Sequence, residues 1–160
     1  MYLVKEDLDK RFMEEALQLA RQAEQLNEVP IGAVVVQHNR IIGRGYNRRE
    51  MDANPLAHAE LIAIQEAARF LGGWRLENCV LYVTLEPCPM CAGAIVQSRI
   101  AKVVYATADP KSGYAGSLHN TLQDPRLNHQ TQIVSGVCQE EASQLLKQFF
   151  RRLRKKNPTP

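Results

Sequence analysis

Apolar residues recur at three- and four-residue intervals early in the chain. Phe12, Ala16, Leu19, Ala20, Ala23 and Leu26 mark one face of an amphipathic helix over roughly residues 6–27. The period then shortens. In "PIGAVVVQHNRIIGRGYN" (30–47) two β-branched runs flank the turn-forming Gln37-His38-Asn39-Arg40, which predicts a hairpin. Helical spacing returns in "AHAELIAIQEAARFLGG" (57–73), stopped by Gly72-Gly73. The unbroken apolar run "CVLYVTL" (79–85) predicts a strand covered on both faces. "CPMCAGAIVQSRI" (88–100) opens a third helix with Pro89 near its first turn. "KVVYAT" (102–107) is a further buried strand, followed by the loop "ADPKSGYAGS". "TQIVSGV" (131–137) reads as a last strand, and "EEASQLLKQFFRRLRKK" (140–156) as a C-terminal helix before a disordered tail at 157–160.

Strands alternating with helices imply an α/β fold, a largely parallel sheet between helical layers. The hairpin adds an antiparallel strand, giving a mixed sheet of five strands. No repeat or linker divides the chain, so residues 1–156 are expected to form one domain, and 160 residues at 45% hydrophobic suit one core. No apolar run approaches the ~20 residues that cross a bilayer. "MYLVKEDLDKRF" carries charges where a secretory signal would be apolar, and four cysteines are too few for a disulfide scaffold. A reducing cytoplasm is therefore expected. The net charge of +3 does not announce a nucleic-acid binder. Its distribution says more: "RRLRKK" (151–156) holds five cationic residues directly after Phe149 and Phe150.

The chemistry concentrates in two short segments. Cys88 and Cys91 lie three apart at a helix start, a spacing that puts both on one helical face and lets them converge, and there unpaired N–H groups and the helix dipole favour thiolate. That pair alone fits a zinc site and a redox dithiol equally. "HAE" (58–60) breaks the tie, because it too opens a helix. Helices that follow parallel strands bring their N-termini to one edge of the sheet. His58, Cys88 and Cys91 then make three ligands for one Zn²⁺ with the fourth position open, the pattern of a catalytic site. Glu60 is placed to move a proton beside it. Taken alone, "HAE" fits a core histidine and a dipole-complementing glutamate better. The "PCPMC" run after a buried strand reverses that preference. Cys79 and Cys138, at strand ends, read as inert core thiols.

H-x-E followed by P-C-x-x-C is the signature of zinc nucleobase deaminases. The chain resembles the bacterial tRNA-specific adenosine deaminases, the TadA family of the cytidine/deoxycytidylate deaminase superfamily. The resemblance extends through "EVPIGAVVV", "GYN", "AHAEL", "LYVTLEPCPMCAGAIVQSRI", "DPKSGYAGSL" and "FFRRLR", in order over most of residues 28–154. It implies a three-layer α/β/α cytidine-deaminase-like fold, one Zn²⁺ per subunit, a homodimer, and a tRNA anticodon stem-loop as partner. The implied reaction is hydrolytic deamination of adenosine to inosine at the wobble position, zinc hydroxide attacking C6 with Glu60 as the proton shuttle. Backbone N–H groups near Ala59 and Cys88 would hold the base, Asn47 would hydrogen-bond it, and Val29 and Pro30 would wall the pocket. Asp109 would meet sugar or backbone groups and Lys111 a phosphate. Phe149, Phe150, Arg151 and Arg154 would contact RNA, with Arg48 and Arg49 adding to that surface. One phenylalanine is expected in the core and the other partly exposed.

Tyr114 departs from the family pattern, where a small residue is usual, and leaves the loop shape open. Asn47 alone would read as a turn residue, and the loop as a solvated surface. The competing enzyme is a zinc deaminase of a free nucleobase or nucleoside (guanine, cytosine or cytidine), which needs neither the basic-aromatic tail nor the 109–111 loop. A non-catalytic RNA-binding module is opposed by the open metal position and Glu60. The apolar "AGAIVQSRI" helix is the expected dimer interface.

Overall fold

A computed structural model describes residues 5–158. Its order is α1 (Lys5–Gln25), β1 (Gly32–Gln37), β2 (Arg40–Tyr46), α2 (Ala59–Leu71), β3 (Cys79–Leu85), α3 (Pro89–Gln97), β4 (Lys102–Thr107), β5 (Gln132–Ser135) and α4 (Gln139–Lys156), with a single 3₁₀ turn at Thr121–Gln123 before β5. The turn was not foreseen, and the last strand is shorter than 131–137. Residues 159 and 160 of the expected tail lie outside the described residues. Leu26 does not join the buried face of α1. Asn27 turns left-handed (φ 62°) and ends the helix, with Asn27 N–H donating to the Glu24 carbonyl, so Leu26 stands 46% exposed.

The strands are ordered β2-β1-β3-β4-β5. β1 is antiparallel to both neighbours, while β3, β4 and β5 are parallel. His38 and Asn39 both take positive φ (50° and 61°), as a two-residue hairpin turn requires. A bulge follows, where the register shifts between Val35 and Val36. Alternation along the strands separates two cores. Ala33, Val35, Leu81, Val83 and Val103 face α2 and α3; Val34, Val36, Tyr82 and Val104 face α1 and α4. The mixed sheet between two helical layers is the α/β/α arrangement expected.

Two reversals across β1 leave β2 and β3 running the same way. α2 and α3 therefore both start at the edge where those strands end. Glycine sets how closely α2 approaches: a Cβ on Gly43 or Gly45 would overlap the carbonyl oxygens of Ala63 and Ala59. The facing positions Ala59, Ala63 and Ala67 are fully buried, so the helix rests on bare strand backbone. α4 lies beside α1, and Arg152 reaches Glu24 near the end of α1 at 3.1 Å. No helix among the described residues is long and apolar enough to cross a membrane.

Candidate active site

His58 is the N-cap of α2 and Cys88 the N-cap of α3, both in extended backbone with no side-chain capping bond. Their side chains are thus left free to point across the sheet edge. The cysteines do not share a helical face, since Cys88 stands before the first turn and Cys91 within it. The two thiols converge on one imidazole all the same. His58 Nδ1 lies 3.6 Å from Cys88 Sγ and 3.5 Å from Cys91 Sγ. The three ligand atoms lie within 4.8 Å of one another, forming a group that could hold a metal ion. Nitrogen and sulfur ligands of a tetrahedral zinc stand roughly 3.6 Å apart at ordinary bond lengths. The donor set, two thiols and an imidazole, excludes hard cations and suits zinc.

Glu60 sits in the first turn of α2, 4% exposed, and does not belong to the ligand group. Burial pushes its carboxyl up to about 7. Cys88 is brought down to about 4, first by the hydrogen bond from Cys91 and also by His58. Cys91, 0% exposed, is pushed up chiefly by that same bond to Cys88 and by burial. Burial also raises the Cys79 thiol to about 11 and that of Cys138, so neither shares the lowered thiol of Cys88.

Above these groups opens a cleft of about 300 Å³. His58, Ala59, Glu60 and Cys88 form its floor; Val29, Asn47, Asp109 and Phe150 contribute walls and rim. Asn47 is buried, donates to the Val29 carbonyl (3.3 Å) and accepts the Arg49 N–H (3.1 Å). Its amide keeps one hydrogen and one lone pair free. Asp109 accepts the Lys111 and Ser112 N–H groups at 3.0 and 3.2 Å.

Other expected residues stand elsewhere. Pro30 is buried and does not line the cleft, and Lys111, Arg151 and Arg154 are exposed outside it. Phe149 is 9% exposed and turned from the cleft, whereas Phe150 is 40% exposed and lines it. The division comes from the 100° step between consecutive helical residues. Arg48 is occupied by Asp52 (3.0 Å) and the Tyr46 hydroxyl (2.7 Å), leaving Arg49 as the arginine at the cleft. Tyr114 is half-buried against the α2/α3 core, its ring 5.6 Å from that of His119, and does not line the cleft. Ile31, Leu85, Glu86 and Ser112 also line it, and nothing in their local sequence singles them out.

Residues 7–154 match the MafB19-like deaminase family. The chain is 55% identical over 148 residues to the tRNA-specific adenosine deaminase of Bacillus subtilis, covering 92% of each chain. It is 46% identical over 152 residues to that of Haemophilus influenzae, covering 94% of this chain and 88% of the relative. A solved structure from work on A-to-I editing by tRNA:A34 deaminases at the wobble position superposes with a TM-score of 0.82 at 43% identity, over 85% of this chain and 99% of that one. Fold, site and sequence agree: the chain belongs to the MafB19-like deaminase family and, within it, to the tRNA-specific adenosine deaminases.

Proposed function

We propose that this protein deaminates adenosine to inosine at the wobble position of a tRNA anticodon, with one zinc ion held by His58, Cys88 and Cys91. The observation that carries the reading is a buried glutamate beside a His-Cys-Cys group, at the floor of a cleft whose rim presents Phe150 and Arg49. When bound, zinc supplies the Lewis acidity that makes water a nucleophile at neutral pH. Glu60 takes a proton from the attacking water on its carboxylate and delivers it to the ring nitrogen N1 as the C6–O bond forms. It then carries the proton of the added hydroxyl to the amino group, so that the C6–N bond breaks, ammonia leaves and the C6 carbonyl of inosine remains. Asn47 offers a donor and an acceptor to the base edge, which fixes its orientation. The unpaired N–H groups at the start of α2, near Ala59, face the same space and favour developing negative charge.

Phe150 gives the extruded loop a stacking surface, and Arg151 and Arg154 on the same exposed helix end meet phosphate. Asp109 and Lys111 serve the flanking nucleotides. Residues 1–156 act as one deaminase domain. The partly exposed, apolar outer side of α3, with Met90, Gly93 and Ala94, pairs two copies into a homodimer. A tRNA substrate places the enzyme in the cytoplasm.

The deciding experiment offers zinc-loaded protein an anticodon stem-loop with a wobble adenosine beside free adenosine, cytidine and guanine, scoring inosine and ammonia. Inosine in the stem-loop with the small substrates untouched is expected. Turnover of a free base with an inert stem-loop would overturn the substrate and leave the metal chemistry standing.

A further inference from the structure

β3 ends at Leu85, and the next residue, Glu86, is a carboxylate only 2% exposed two positions before Cys88. Among the described residues no lysine or arginine pairs with it. A buried carboxylate without a cation must be satisfied by hydrogen-bond donors. All four donors that Glu86 accepts come from one loop. Oε1 takes the Asp109 N–H at 3.0 Å and the Ser117 hydroxyl; Oε2 takes the Ala115 and Ser117 N–H groups, each at 3.0 Å. Four bonds fill the acceptor capacity of a carboxylate. Glu86 therefore has nothing left to offer a reacting group, although it borders the cleft.

The loop is moulded around this side chain. Gly113 lies against it so closely that a Cβ there would overlap the Glu86 carboxyl group. A backbone bond stitches the same loop to the metal-ligand turn, Tyr114 N–H donating to the Pro87 carbonyl at 2.9 Å. Glu86 N–H donates to the carbonyl of Thr107, the end of β4 from which the loop departs, at 2.9 Å. Asp109 and Ser112, the two loop residues that line the cleft, are thereby held in register with Cys88.

We propose that Glu86 is a positioning residue: its carboxylate templates the 109–117 loop, so that the loop's cleft-facing groups meet the nucleotides beside the target. The proposal rests on the tRNA reading above. It separates Glu86 from Glu60, since one carboxylate moves protons and the other arranges the surface that grips RNA.

Glu86→Gln is the test, with Glu86→Asp as the conservative rescue and Ser117→Ala as a milder cut. The amide nitrogen fits best at the Oε1 position. There the Ser117 hydroxyl can turn to accept from it, but the Asp109 N–H meets it donor to donor, so at least one of the four bonds is lost. In Glu86→Gln, amides 109–117 should exchange roughly tenfold faster or more. KM for the stem-loop should rise about tenfold with kcat within about threefold, the signature of lost uniform binding. Metal per chain and exchange within α3 should stay as in the wild type. Glu86→Asp should recover part of the KM, and Ser117→Ala should shift it in the same direction by less. Unchanged loop exchange in Glu86→Gln would overturn the proposal. So would kcat and metal content falling together, which would make Glu86 merely a support of the Cys88 turn. If Glu86→Gln does not fold, an unaltered KM and exchange pattern in Ser117→Ala overturns it. Should wild-type protein leave the stem-loop unreacted, the substrate reading fails, while the exchange measurement still decides whether Glu86 holds the loop.

Discussion

The floor of the cleft is made of two helix caps pressed onto a sheet, whereas its rim is made of loops tied down by buried carboxylates and of a helix end held by the half-buried Glu24. His58 and Cys88 owe their places to strand direction, and His58 also to small residues: Gly43, Gly45, Ala59 and Ala63 let α2 lie directly on the strand backbone. At the rim, Glu28 accepts the Glu50 and Met51 N–H groups at 2.8 and 2.9 Å and fixes the loop after Asn47, as Glu86 fixes 109–117. Packing fixes the floor and hydrogen bonds fix the rim. Changes at the floor should therefore act on turnover, and changes at the rim on substrate affinity. The largest effect expected is at the floor. Glu60→Gln removes the proton carrier and should lower kcat by roughly 10²- to 10⁴-fold, while metal analysis finds zinc at the wild-type level. Undiminished deamination would remove Glu60 from the reaction.

Gly45→Ala tests whether the sheet contact truly sets the floor. The added Cβ meets the Ala59 carbonyl, and backbone cannot move aside as a flexible side chain does. Overpacking of this kind costs about 2 kcal/mol, or roughly 4–8 °C in Tm for a chain of this size. Because the displaced turn carries His58 and Glu60, kcat should fall more than the stability loss alone explains, by roughly tenfold or more. A lowered Tm with full kcat would show that the metal group holds its geometry independently of helix packing.

How much was legible follows the same division. The elements of the fold could be read because burial repeats every two or every 3.6 residues, and the convergence of His58, Cys88 and Cys91 into a group that could hold a metal because they sit at helix starts of recognisable spacing. Leu26 kept the helical period yet left the core, since Asn27 ends the helix by a backbone turn that apolar spacing does not report. Glu86 and Ser112 stayed invisible because their roles depend on bonds spanning 23 to 31 residues or on a loop's closed shape. Arg48 and Arg49 look equivalent in sequence. Only the Asp52 and Tyr46 contacts show that one is tied away while the other lines the cleft.

Adjacent phenylalanines offer the sharpest contrast between stability and binding. Phe149 is nearly buried and Phe150 stands at the cleft, their rings 5.5 Å apart edge to face. Phe149→Ala should destabilise by about 3 kcal/mol, read by denaturant unfolding. Phe150→Ala should leave stability almost unchanged and raise KM for the stem-loop roughly tenfold, since a stacked base is worth about 1–3 kcal/mol. If both variants lose stability equally, the helix end is core and offers no platform for RNA.

The smallest effect belongs to Arg151 and Arg154, which lie exposed with no ion-pair partner among the described residues. Arg152, between them, is held by Glu24 and serves as the internal control. A cation that neutralises one phosphate of a single strand contributes roughly 0.7 to the slope of log affinity against log salt. Arg151→Gln and Arg154→Gln should each flatten that slope by about this amount, whereas Arg152→Gln should alter stability in preference to slope. An equal change in all three would mean that the helix end acts as a diffuse positive field. A change confined to Arg151 and Arg154 would mean that the ion pair to α1 selects which side of α4 faces the RNA.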